Sequence, residues 1–406
     1  MRRFQTQIYL KLIGLMCLFA GACTAQFGPM IGSKPGNSNP CIPGQPGACA
    51  LLTLGTVGRL GANDPSIADT PQGATAYMSY SGVTPSPTWR SANPLTIATH
   101  IGQSANGGTT WTVGCSGTPI NPRLDVTIAG GPATWNSEVP SLVYDASADS
   151  AHKWKLFWHH YLYQNGQGLQ NNAWIGYKAA DAPCDLAAAT EVKLFAGAGY
   201  NSANNTAGGT TGSPVGGAPV LQLNRLNTSL NSCQAFTEPG GLAQADGTLF
   251  LSLSCQMGGT NNSIFVIKCA APCDPTNAAD WTFAGTSLTT TDATAVGLVT
   301  YNAPDIFAVG STYYMLITPV VTDPKFGARY NGCNLFKFSN LSTGSLMRGG
   351  TGSLPVLLSS LNGIAGQNNG GCTYTQNVRN AGIDFGQFMF SVHTFYIIQT
   401  NVDINT

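Results

Sequence analysis

Asn63-Asp64-Pro65-Ser66-Ile67, Glu138-Val139-Pro140-Ser141-Leu142-Val143, Thr237-Glu238-Pro239-Gly240-Gly241-Leu242 and Ala303-Pro304-Asp305-Ile306-Phe307 are four versions of one short phrase. Each sets a proline among acidic and small residues and runs on into an apolar strand-like stretch. A fifth version, Asn380-Ala381-Gly382-Ile383-Asp384-Phe385, keeps the pattern without the proline. The prolines are 75, 99 and 65 residues apart (65 to 140, 140 to 239, 239 to 304). The long middle interval holds Gly197–Pro219, a Gly/Asn/Thr-rich insertion that reads as a loop. A second phrase repeats in step with the first. Ala182-Pro183-Cys184-Asp185 precedes Phe195-Ala196-Gly197, and Ala271-Pro272-Cys273-Asp274 precedes Phe283-Ala284-Gly285.

Between these starts lie short runs bounded by Gly, Asn, Asp or Pro, which is strand-and-turn punctuation. Ala76–Tyr80, Lys155–Tyr163, Trp174–Lys178, Leu249–Ser254, Ile264–Cys269, Tyr313–Pro319 and Phe388–Gln399 are the clearest. Helical periodicity is scarce, and Asp185–Thr190 has room for one turn. Repeats of this length fit one four-stranded antiparallel sheet each, and such sheets set around an axis make a β-propeller. The expectation is an all-β propeller of five blades over residues 51–406. The last blade is short, and a strand near Leu51–Val57 is available to complete it. A pair of β-sandwiches explains the strands equally well but not the recurring starts.

Ser104-Ala105-Asn106-Gly107-Gly108-Thr109-Thr110-Trp111 fits the Asp-box pattern S-x-D-x-G-x-T-W, with Asn106 at the Asp position. Its physics is turn chemistry: a short polar side chain caps backbone N–H groups, Gly permits positive φ, and Trp packs beneath. With this box the chain resembles the Asp-box, sialidase-like β-propellers. Its module starts are similar to those of five-bladed glycosidases of the arabinanase, xylosidase and invertase type. That resemblance implies roles by position. Asp64, in Asn-Asp-Pro, matches the first-blade base or nucleophile. Glu238, in Thr-Glu-Pro, looks like the later-blade general acid. Asp305, in Ala-Pro-Asp-Ile, matches a substrate-binding or structural segment.

The residues point the same way on their own. Acids recur at the starts (Asp64, Glu138, Glu238, Asp305 and Asp384), and two of the chain's three Glu residues lie there. Glycoside hydrolysis needs paired carboxyl groups, and crowding them raises the pKa of the one that must donate a proton. The bland alternative is that an acid beside Pro bonds to local backbone N–H groups. Phe157-Trp158-His159-His160-Tyr161 reads as a strand, so one His faces a funnel while its neighbour faces away. His159 and His160 are therefore candidate sugar contacts, together with Glu138, Asp305, Asp384 and Arg379. Arg379 is the best-placed anion ligand, ahead of Arg59 and Arg329. No arginine triad stands out, so sialidase activity ranks behind other glycosidases. A non-catalytic surface propeller that binds glycan or protein is the rival from another class. The expected partner is carbohydrate, with no cofactor and no metal.

Composition narrows the field. Of 406 residues, 18 are basic and 18 acidic, only 9% are charged, and 43% are hydrophobic. Charge-paired helical bundles need far more Glu, Lys and Arg, and nucleic-acid binding needs a basic excess. Residues 1–25 read as an export signal, with Arg2, Arg3 and Lys11 ahead of the apolar run Leu12–Ala22, which is too short to span a bilayer. Ala20-Gly21-Ala22 precedes Cys23, so lipidation at Cys23 and plain secretion stand level. Residues 26–50 are a Gly/Pro-rich lead-in. No second apolar run has transmembrane length, and a monomer is expected. Beyond residue 25 the chain has ten of its twelve cysteines, and an even number in an exported chain favours disulfides. Cys41 with Cys49 is the local pair that spacing favours, and the other pairings stay open.

Overall fold

The computed structural model describes residues 49–52, 61–68, 75–85, 95–105, 111–258 apart from 204 and 207–208, 261–361 apart from 325–326 and 350–353, 369–375, 385–392 and 396–403. Cys23, Cys41, Arg59, Arg379, Asp384, the signal segment and the lead-in up to residue 48 lie outside these residues. The chain is all-β. Among the described residues, helix is confined to Thr290–Thr294 and short 3₁₀ turns.

The described strands form five sheets. β1 (Cys49–Leu52) belongs with the last of them. The first sheet is β2 (Gly61–Ala68), β3 (Ala76–Pro85), β4 (Leu95–Ser104) and β5 (Thr112–Val113). The second is β6 (Leu124–Ile128), β7 (Gly131–Tyr144), β8 (Trp154–Gln164), β9 (Gln167–Ala180), β10 (Val192–Ala196) and β11 (Leu221–Gln222). The third is β12 (Ala235–Ala243), β13 (Leu249–Gln256), β14 (Asn262–Cys269) and β15 (Trp281–Thr289). The fourth is β16 (Thr300–Val309), β17 (Thr312–Asp323), β18 (Gly327–Tyr330), β19 (Cys333–Asn340), β20 (Ser345–Leu346) and β21 (Leu357–Leu361). The fifth is β22 (Asn369–Thr375), β23 (Phe385–Val392) and β24 (Tyr396–Asp403), with β1 antiparallel to β24 as its outer strand.

β2, β7, β12, β16 and β22 each touch the next, and β22 returns to β2. The arrangement is a β-propeller with these strands innermost. Each middle sheet is packed between two neighbours, so its strands are apolar on both faces. Leu249, Leu251 and Leu253 face a core shared with Phe157, Tyr177 and Phe195 of the second sheet. The alternate residue Phe250 faces a core shared with Tyr301, Met315 and Phe336 of the fourth.

The repeated proline phrase encodes a bulge. In β2 the pairing with β3 skips from Asn63 to Ser66, and the same skip occurs from Glu138 to Ser141, Thr237 to Gly240 and Asn302 to Asp305. The first skipped residue has positive φ each time: Asp64 at 51°, Val139 at 48°, Glu238 at 56° and Ala303 at 49°. The second is Pro, which has no N–H to give to the ladder and so suits a bulge.

Two expectations need correction. The fifth innermost strand is β22, not a strand starting at Asn380–Asp384. Its bulge is at Gly371, with φ 70°, between Gly370 and Cys372. Phe385 opens the second strand of that sheet. Phe388–Gln399 is not one strand but parts of β23 and β24, which pair with each other. The Gly197–Pro219 insertion is a loop anchored on the second sheet. Trp135 Nε1 donates to Thr211 O at 3.1 Å, and the buried Lys193 Nζ donates to Asn205 O at 2.6 Å.

The doubled Phe-Ala-Gly phrase has a steric cause. A Cβ on Gly197 would collide with Gln234 O, and one on Gly285 would collide with Thr343 O. Its cysteines behave differently from each other. Cys184 reaches Cys115 beside the first sheet, whereas Cys273 closes a small loop with Cys269. The other described disulfides are Cys233–Cys255 and Cys333–Cys372.

Candidate active site

The bulges decide which side chains approach the propeller axis. Asp64 and Glu238 occupy the positive-φ position of β2 and β12. Glu138 stands one residue earlier, before Val139 in β7. Asp64 is half-buried, whereas Glu138 and Glu238 are 5% and 8% exposed. Burial raises all three carboxyls, and repulsion between them adds to it at Asp64 and Glu238. Asp64 is pushed up to about 7 by burial and then by Glu138, against a hydrogen bond with Ser81. Glu138 is pushed up to about 8 by burial, against its contact with Tyr161. Glu238 is pushed up to about 8 by burial, against the Ala303 N–H, with Asp64 and Glu138 raising it further. Three consecutive sheets therefore bring three carboxyls into one electrostatic neighbourhood.

Glu238 is the most firmly held. Its Oε2 accepts from Ala303 N at 2.6 Å and from Ser254 Oγ at 3.2 Å. Its Oε1 accepts from Asn302 Nδ2 at 2.7 Å and from Tyr330 Oη at 3.4 Å. Asn302 Nδ2 also reaches Tyr330 Oη at 2.6 Å. Burial lifts the Tyr330 phenol well above its ordinary value, and Glu238, Asp64 and Glu138 add to that. Tyr330 is thus a neutral phenol that senses all three carboxyls. Asp64 abuts the fifth sheet. A Cβ on Gly371 would come within 2.6 Å of Asp64 Oδ1 and 2.8 Å of its Cα.

The two histidines part company. His159 pairs with Glu138 across β7 and β8, with Nδ1 3.9 Å from Glu138 Oε1. Its ring stacks on Tyr161 at 4.7 Å. Burial, reinforced by His160, pushes its pKa down to about 3, so it is neutral. His160 faces the other way, against Trp135 and Trp174, and Nδ1 meets Glu191 Oε1 at 2.8 Å. Trp174 Nε1 donates to the same oxygen at 3.0 Å.

Asp305 stands just past its bulge, in the row of ties between innermost strands. Ser66 Oγ accepts from Leu142 N, and Ser141 Oγ accepts from Gly241 N. Thr373 Oγ1 accepts from Ile67 N and donates to Asp305 Oδ2 at 2.7 Å. Burial, opposed by this hydrogen bond, pushes Asp305 up to about 7. Arg329 is bound to Asp323, its Nε 2.8 Å from Oδ2. Among the described residues no group of His, Cys, Asp and Glu side chains is arranged to hold a metal ion, and no helix is long and apolar enough to cross a membrane. Residues 106–110 of the Asp-box-like stretch lie outside the described residues. The box joins β4 to β5, and Trp111 packs on Met78 and Tyr80.

Sequence reasoning missed Asn302, Tyr330, Ser254, Tyr161 and Gly371. Asn302 was within reach, because it precedes Ala303-Pro304 as Asn63 precedes Asp64-Pro65. Tyr330 carries no local signal.

No protein-family model matches the chain, and no curated protein matches it. Solved structures do. An arabinanase from Bacillus subtilis is 12% identical over 87% of this chain and 97% of its own, with a TM-score of 0.43. An α-L-arabinofuranosidase from Podospora anserina, in complex with cellotriose, is 9% identical over 88% and 95%, with a TM-score of 0.45. A glycoside hydrolase of family 32 from Bifidobacterium adolescentis is 8% identical over 84% of this chain and 55% of its own, with a TM-score of 0.47.

Proposed function

We propose that the protein is an exported, carbohydrate-active propeller of five blades that hydrolyses glycosidic bonds. The observation that carries this reading is the raised trio Asp64, Glu138 and Glu238. A buried carboxyl at about 8 holds its proton at neutral pH, as a general acid must. Glu238 donates that proton to the leaving oxygen as the glycosidic bond breaks. Asp64, more open and lower at about 7, acts as base on water or as nucleophile at the sugar carbon. Glu138 keeps both partners high, and Asn302 with Tyr330 fixes the Glu238 carboxyl. His159 contributes a neutral ring on the substrate side, and substrate roles for His160, Asp305, Arg379 and Asp384 remain proposals of the sequence.

The test is Glu238→Gln on a glycan panel. Turnover should be abolished with the circular-dichroism spectrum and melting curve intact. Unchanged turnover removes Glu238 from the mechanism. One observation favours a second reading, a propeller that binds glycan without cleaving it. Glu238 is held by four hydrogen-bond contacts, one of them from a backbone N–H. Under that reading glycan binds, none is cleaved, and Glu238→Gln changes only affinity.

A further inference from the structure

The bulges of the innermost strands are not stiffened alike. Pro65, Pro140, Pro239 and Pro304 fix the backbone φ in four of them. The fifth, Gly370-Gly371-Cys372, has two glycines, the residue with the most backbone freedom to lose. Its ladder with β23 skips Gly371, so its own sheet holds it weakly there. The fourth sheet holds it instead. Gly371 N donates to Thr318 Oγ1 at 2.9 Å, and Cys372 is bonded to Cys333 at the start of β19. Among the described disulfides, this one alone has a cysteine at such a bulge.

The glycine bulge lies between the groups that hold Glu238 and Asp64 itself. On one side, a Cβ on Gly370 would come within 2.5 Å of Thr318 Cγ2 and 3.0 Å of Tyr330 Cβ. Thr318 is fully buried and pairs with Asn302 across β16 and β17. Asn302 and Tyr330 are the side chains that meet Glu238 Oε1. On the other side, a Cβ on Gly371 would come within 2.6 Å of Asp64 Oδ1. Cys333 follows Tyr330-Asn331-Gly332 directly, and Cys372 follows Gly371. Cys372 Sγ also lies 3.4 Å from the Gly332 carbonyl oxygen. The disulfide therefore joins the turn after Tyr330 to the bulge that abuts Asp64.

We infer that the Cys333–Cys372 disulfide is a positioning element for the reaction proposed above. It clamps the glycine bulge of β22 against Tyr330 and Asp64, and so fixes Glu238 and Asp64 relative to each other. The inference rests on the hydrolase reading. A disulfide also stabilises by restricting the unfolded chain, and that effect grows with the span it closes. Cys115–Cys184 supplies the comparison. It too joins segments of neighbouring sheets, and it closes a span of 69 residues against 39. Cys184 lies past Ala180 of β9, which pairs with Trp154, which pairs with Tyr144 at the far end of β7 from Glu138. Unfolded-state restriction thus ranks Cys115–Cys184 first, whereas contact with the carboxyl supports belongs to Cys333–Cys372.

The test compares Cys333→Ala/Cys372→Ala with Cys115→Ala/Cys184→Ala. One readout is kinetics on the glycans that the parent cleaves. The other is carbon NMR of protein labelled at the glutamate Cδ. The chain has three Glu residues, Glu138, Glu191 and Glu238, and Glu238→Gln assigns the signal of interest. Loss of Cys333–Cys372 should lower kcat by about tenfold or more and leave KM within about twofold, as misplaced reacting groups do. Glu238, at about 8 in the parent, should titrate lower by about one pH unit or more, because burial is the largest cause of its rise. Loss of Cys115–Cys184 should move neither readout. Thr318→Val keeps the disulfide but removes the acceptor of the Gly371 N–H. It should shift both readouts the same way, Thr318→Ser should restore them, and this pair carries the test if Cys333→Ala/Cys372→Ala does not fold. Parent-like kcat and Glu238 titration without the clamp, or equal changes without Cys115–Cys184, overturn the positioning role and leave the hydrolase reading standing. A parent that cleaves no glycan overturns the hydrolase reading. The Glu238 titration then decides alone: a drop confined to loss of the clamp supports the positioning role, and no drop overturns it.

Discussion

β2 and β12 share one backbone with β7 and β16, and differ in what stands at the bulge. All four skip two residues, place Pro second and hold the first at φ near +50°. In β2 and β12 that first residue is Asp64 or Glu238. In β7 and β16 it is Val139 or Ala303. A left-handed Val or Ala offers no chemistry, so the bulge itself is a property of the ring, a way to bend each innermost strand. The acids exploit a conformation that the fold pays for at every blade. In the fifth described sheet Gly371 adopts it without a Cβ, and leaves the space that Asp64 fills.

The sharpest way to break this comparison is to exchange chemistry at equivalent bulges. Asp64→Asn should lower turnover by about 10³-fold, measured by sugar release, whereas Val139→Gly should leave it unchanged. Equal losses would make the bulge, not the acid, the functional element.

Gly371→Ala comes next. Its Cβ would meet Asp64 Oδ1 and Cα, the second of which is backbone and cannot swing aside, and its φ of 70° disfavours any side chain. A stability loss of about 1–3 kcal/mol is expected in urea unfolding, together with lower turnover as Asp64 is displaced.

The pH dependence separates the acid bulges from the apolar ones without a mutation. Folding raises Asp64 from 3.8 to about 7, and Glu138 and Glu238 from 4.5 to about 8. Between those limits the folded state binds more protons than the unfolded one, so stability falls as pH rises. The contribution is fully present below about pH 4 and lost as pH climbs through 7 to 8. The Tm should therefore drop from pH 5 to pH 8.5, and Glu238→Gln should flatten the slope. A Tm that rises across this range would contradict the burial of the carboxyls.

The smallest effect is expected at Val139. Relief of its positive φ offsets the lost contacts of a half-buried side chain, so Val139→Gly should change stability by less than about 1 kcal/mol.

Much of this was legible because proline leaves a mark. Four bulges carry Pro65, Pro140, Pro239 and Pro304, and their spacing gives the module. The fifth stayed hidden, since Gly370-Gly371-Cys372 reaches the same geometry through glycine and shows no proline. The boundary between β23 and β24 was hidden for a related reason. Residues 393–395 are His, Thr and Phe, with no Gly, Pro, Asn or Asp to mark a turn. The two Ala-Pro-Cys-Asp phrases predicted equivalent places along the chain correctly, yet Cys184 and Cys273 take different kinds of partner. Disulfide pairing depends on which sulfurs meet in space.

From residue types alone, the chain determined strands, turns and a repeated start with acids near it, because turn chemistry and alternation are local. Tertiary structure decided what these acids and histidines touch. Asp305 ties β16 to β22 through Thr373, His160 turns to Glu191, and His159 turns to Glu138. Asp64, Glu138 and Glu238 are raised only because three sheets converge and exclude water around them. Burial and mutual repulsion are properties of that convergence, and no window of sequence contains them.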